Sequence, residues 1–160
     1  MDSLIKLYLE RAENELDLAK IIFELTESKN IQEETFHVNK VQSFYSAVIT
    51  HSYYCIFYSA KAYLLKNSIK TEPPEEHRKT FEEFRILTEK GILDVELLKL
   101  YEQVFIRADT LLSIFQTEKN KRGHYTYQKL SQANHDPAKE SLDNSKLFFR
   151  NIFNLCKEIQ

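Results

Sequence analysis

Residues 51–65 read HSYYCIFYSAKAYLL. On an α-helix of about 3.6 residues per turn, His51, Tyr54 and Tyr58 share one face, and Tyr53, Phe57 and Lys61 share another. The stretch around it, 44–65, is the most apolar of the chain. Ser46, Thr50, His51, Ser52, Ser59 and Lys61 interrupt it, so it reads as a core helix and not a membrane span. The whole helix is expected over 39–67 and is apolar nearly all round. Such a helix is either the centre of a bundle or is shared with a partner subunit.

Helical spacing continues on both sides. Upstream, Asp2 or Ser3 can cap a first helix to about Leu25, with Ile5, Tyr8, Ala12, Leu16, Ala19 and Phe23 on one face. The polar run ESKNIQEETFHV, 27–38, reads as a loop. Downstream, Pro73-Pro74 leaves the helical path, and a short third helix from near Pro74 carries Phe81, Phe84 and Leu87 inward to a stop at Gly91. Asp94 caps a fourth helix whose inner face is Leu97, Tyr101, Phe105, Ala108, Leu112 and Phe115. Lys119, Lys121 and Arg122 close that helix, and Gly123 turns the chain. Asp136-Pro137 opens a last helix with Ala138, Leu142, Ser145, Phe149, Ile152, Cys156 and Ile159 as its seam. The expectation is an all-α, up-and-down bundle of four long helices and one short one, a single domain over 1–160.

Composition agrees. The chain has 160 residues, 42% hydrophobic and 29% charged, which is globular chemistry. Two glycines and three prolines are too few to punctuate the many short strands of a sandwich or barrel. A net charge of −2 means that any nucleic-acid site must be a local patch. Cys55 and Cys156 lie far apart in apolar surroundings and read as buried thiols of a reducing compartment. The start, MDSLIKLYLERAENE, has neither the basic end nor the apolar run of a signal peptide, so a cytoplasmic location with no membrane anchor is expected. No Walker loop, dinucleotide glycine turn, GxSxG or HExxH occurs. A single ExxH, Glu34 to His37, falls in the expected loop, so no metal site and no cofactor are expected.

Four constellations can carry chemistry. Tyr53, Tyr54, Phe57 and Tyr58 suit core packing, a polar cleft or a self-association face. His77 sits at a helix start beside Glu75 and Glu76, where a solvated histidine is expected. Arg107 can bond Gln103 one turn back or sit between helices as a fork for phosphate or carboxylate. The fourth is EKNKRGHYTYQK, 118–129, in which Lys119, Lys121, Arg122 and Lys129 interleave with His124, Tyr125 and Tyr127. Cations contact phosphates and exposed rings stack on unpaired bases. A helix end whose cations oppose the dipole, followed by a loop pinned by tyrosines, would use the same residues.

SYYCIFYSAKAYLL (52–65), EEHRKTFEEF (75–84), RADTLL (107–112) and KRGHYTY (121–127) together resemble the HEPN superfamily of small helical bundles. The resemblance implies a homodimer, commonly through the long helices, and the apolar girth of the 39–67 helix puts Tyr53, Tyr54, Phe57 and Tyr58 near the contact. It also implies an association with RNA or a nucleotide. Many members are metal-independent ribonucleases or toxins paired with a nucleotidyltransferase-like antitoxin. Their signature is an arginine followed four to six residues later by a histidine. Here no histidine follows Arg11, Arg78, Arg85, Arg107, Arg122 or Arg150 at that spacing, and Arg122-Gly123-His124 is too short. The expected function is therefore a non-catalytic HEPN-like module that binds RNA, a nucleotide or a partner protein. An RNase or toxin using Arg122, His124 and Arg107 is the alternative, and a purely protein-interaction bundle is the third reading.

Overall fold

The computed structural model describes residues 2–120 and 134–157, the side chains of Thr110 and of 112–120 excepted. Six helices and no strand occur among them: α1 (Ser3–Glu27), α2 (Lys29–Glu34), α3 (Tyr45–Lys66), α4 (Glu76–Glu89), α5 (Val95–Asn120) and α6 (His135–Lys157). The chain is all-α, a helical bundle. No described helix is long and apolar enough to cross a membrane.

Asp2 caps α1 as expected, its carboxylate accepting the Leu4 N–H at 2.7 Å. Ala12 and Ala19 are fully buried, so the α1 backbone can lie close against α3. α3 is the hub, packed on α1, α4, α5 and α6. Its apolar girth is thus met within the chain, and a partner subunit is not needed to cover it. Toward α6 it presents the buried Cys55, whose thiol meets the Ser145 carbonyl at 3.9 Å. Beyond α3, Phe84 of α4, Tyr101 of α5 and Phe148 of α6 meet at ring separations of 5.4–5.8 Å, all three fully buried.

Several local readings change. The expected loop 27–38 contains α2, and α3 begins at Tyr45 rather than near 39. The cause is Gln32, a buried amide that donates to the carbonyls of Asn39 (2.7 Å) and Gln42 (3.0 Å). Those bonds tie the 39–42 turn back to α2, with Asn39 O also accepting the Gln42 N–H at 2.9 Å. In α6 the fully buried ring is Phe148, while Phe149 is half-buried between two core clusters. α6 opens at His135, so Asp136 lies in its first turn and does not cap it, while two other boundaries match their signals. Gly91 follows α4 at φ 72°, and Asp94 Oδ1 accepts the Glu96 N–H at 2.9 Å to open α5. Both cysteines are free and buried, and burial pushes the Cys156 thiol up to about 11. Ile159 and Gly123 lie outside the described residues.

Candidate functional site

Helices α1, α3 and α4 bring a band of rings and cations to one side of the bundle. The sequence spacing that put His51, Tyr54 and Tyr58 on one face of α3 holds, and α1 meets that face. His51 Nδ1 pairs with the Glu15 carboxylate at 2.6 Å. Tyr58 stacks with Tyr8 of α1 at 6.3 Å and 16°, and with Tyr54 one turn back at 6.3 Å and 27°. All three tyrosines are half-buried, with part of each left to solvent.

Two cations bracket this ladder. The Arg11 guanidinium lies 5.6 Å from the Tyr58 ring centre and has no carboxylate partner among the described residues. The Lys61 ammonium lies 4.8 Å from the Tyr8 ring centre and 5.7 Å from that of Phe57. Lys61 is buried, and its charge is met by the Glu76 carboxylate and the Thr71 carbonyl (3.3 Å).

The ladder ends at His77, which is not solvated beside its acidic neighbours as expected. Its imidazole lies flat on Phe57 at 4.0 Å and 19°, stands edge-on to Tyr54 at 5.8 Å, and meets the Tyr53 hydroxyl through Nδ1 at 2.8 Å. Burial, and then the Lys61 charge, hold His77 below its ordinary value. Burial raises the Tyr53 phenol well above its own, so Tyr53 keeps its proton. His77 was unreadable from sequence because its partners lie across the fold, some twenty residues upstream on α3.

Of the four ring residues assigned to a subunit contact, Tyr53 and Phe57 are 4% and 3% exposed within one chain, leaving Tyr54 and Tyr58 at the surface. Arg107 lies between α5 and α6 rather than on Gln103. It donates to Glu140 Oε2 at 2.5 Å and Ser141 Oγ at 3.3 Å, so its fork is occupied by a carboxylate of the chain itself. Gln103 instead accepts from Asn144 at 2.9 Å. Lys121, Arg122, His124, Tyr125 and Tyr127 lie outside the described residues, as does the side chain of Lys119.

Two recesses lie apart from the ladder. One, beside 70–83, is lined by Lys70, Glu72, Lys79 and Glu83. The other, about 430 Å³, is a groove of mixed lining between α5 and α6 that includes Leu97, Leu100, Leu147 and Leu155 with Asp94 and Asn151. No group of three or more His, Cys, Asp or Glu residues suited to a metal occurs among the described residues. Compared with known families, with curated proteins and with solved structures, the chain finds no match.

Proposed function

We propose that the chain is a dimeric HEPN-like module, up-and-down in its helix order, that binds single-stranded RNA or a nucleotide without cleaving it. The observation that carries this reading is the Tyr8–Tyr58–Tyr54 ladder with the Arg11 guanidinium over Tyr58. Flat, partly exposed rings stack on unpaired bases whatever their identity, and a guanidinium with no carboxylate partner among the described residues lies beside them to meet the phosphate. The basic run Lys119, Lys121 and Arg122, with His124, Tyr125 and Tyr127, supplies the remaining cations and rings. The engagement of Arg107 by Glu140 and Ser141 favours binding over cleavage, since a nuclease arginine must be free to meet the developing phosphorane charge.

The test is a titration of a fluorescein-labelled oligouridine followed by anisotropy at several salt concentrations. Binding that weakens steeply with salt and is lost in a Tyr54→Ala, Tyr58→Ala double variant supports the reading. Binding that ignores both tyrosines moves the site elsewhere, and no binding at low salt removes the proposal.

A further inference from the structure

We propose that the first turn of α4 is a pH-operated latch, in which protonation of His77 releases the turn from α3 and withdraws the imidazole that braces Tyr54. Its consequence for binding rests on the ligand reading above. The latch itself rests on packing alone.

α4 begins without a side-chain cap, after Glu75 in the left-handed region at φ 58°. Its first two residues are held to α3 by side chains, Glu76 by Lys61 and His77 by Tyr53 and Phe57. The buried Tyr53 hydroxyl has no other hydrogen-bond partner among the described residues, so it donates to Nδ1 of a neutral imidazole. A protonated imidazole has no lone pair there. The bond must then reverse, and the phenol proton is stranded in a buried site.

The groups around His77 oppose one another. From α3, Lys61 faces it with the same charge, and Tyr53 and Tyr54 are neutral phenols. From α4, Glu76 is already the counter-ion of Lys61. From α5, Asp109 acts on Tyr53, and Phe105 contributes an apolar ring against Tyr53 at 5.9 Å. From α1, Tyr8 lies beneath Lys61. Burial, and then Lys61, hold His77 on the neutral side. Acid therefore works against the docked imidazole. Once it leaves, Tyr54 loses the ring at 5.8 Å that supports its end of the ladder.

The experiment compares the parent with His77→Gln, whose side-chain carbonyl still accepts from Tyr53 but does not titrate. Amide hydrogen exchange is read at Lys79, Thr80 and Phe81, corrected for the intrinsic pH dependence of exchange. Between about pH 7.5 and about pH 5.5, opening of this turn should rise on the order of tenfold in the parent and stay level in the variant. An equal response in both, or none in the parent, overturns the latch. Should the variant not fold, NMR titration of the parent's own His77 decides. A midpoint below about 6.5 is expected, and one at or above it overturns the latch. Oligouridine affinity over the same range separates the two readings. Exchange that switches while nothing binds at any pH leaves the latch and removes the ladder as a ligand site. Binding that persists while exchange stays level does the reverse.

Discussion

Arg11 and Lys61 stand at the two ends of one stacked pair of rings, Arg11 on Tyr58 and Lys61 on Tyr8, yet they differ in what they offer a ligand. Lys61 is buried and ion-paired, so it fixes the fold, whereas Arg11 is exposed and has no described acid partner. Tyr58 is the ring they have in common through Tyr8, and its removal should be felt most. Tyr58→Ala is expected to weaken oligouridine binding by about 1–3 kcal/mol, while Tyr58→Phe, which keeps the face, should change it little. Anisotropy titration of the two variants side by side checks this. His77 gives a second prediction, and its sign follows from its depressed value. The folded chain prefers the neutral imidazole, so the unfolded chain takes up the proton first as pH falls. Its contribution is fully present above about pH 6.5 and is lost as pH falls from there through the lower value of the folded chain. The urea midpoint should therefore drop more between about pH 7.5 and about pH 5.5 for the parent than for His77→Gln, and parallel drops in the two would show that His77 plays no part.

Helix by helix, what the sequence made legible was periodicity, and what it hid was pairing between elements. The spacing of Ile5, Ala12, Leu16 and Ala19 shows the buried face of α1 directly, and Asp94 and Gly91 mark real helix boundaries. The α3 face of His51, Tyr54 and Tyr58 is equally readable, but nothing in a linear pattern says that Tyr8, Arg11 and Glu15 lie opposite. α2 was missed because its anchor is an amide, and Gln32 in a polar run looks like any loop residue until its two carbonyl partners are known. Phe148 and Phe149 posed a narrower difficulty. Adjacent residues differ by about 100° around a helix, so either can start an apolar seam. The structure buries Phe148 against Phe84 and Tyr101 and leaves Phe149 beside Phe153 at its edge. Phe148→Ala should thus cost about 3–5 kcal/mol, the full penalty of an emptied core site. Phe149→Ala should cost less than half as much, and urea denaturation of the pair that reverses this order would put the α6 seam on the other face.

For the molecule as a whole, a net charge of −2 makes any attraction to RNA a local affair, set by where the cations are grouped. Because α3 is covered by its own chain and the exposed parts of Tyr54 and Tyr58 serve the ladder, a dimer must be built from other exposed surface. Light scattering at protein concentrations on the order of tens of micromolar should still return a dimer mass, and a monomer alone would remove that part of the proposal. Single-stranded RNA incubated with the protein and EDTA should stay intact over hours. Cleavage that vanishes in His124→Ala would instead favour the toxin reading. The decisive whole-molecule prediction concerns how the 118–129 segment and the ladder share the work. If the rings of α1 and α3 take the bases and the cations of 118–129 take the phosphates, the two sets must fail differently. A Lys121→Glu, Arg122→Glu pair should lower affinity and flatten the dependence on salt, since a protein that neutralises fewer phosphates releases fewer counterions. Tyr54→Ala, Tyr58→Ala should lower affinity with the salt slope unchanged. Helical circular dichroism is expected to match the parent in both. Identical salt slopes in parent and charge-reversed protein would place the phosphate contacts outside 118–129, with Arg11 the first cation to test in its stead.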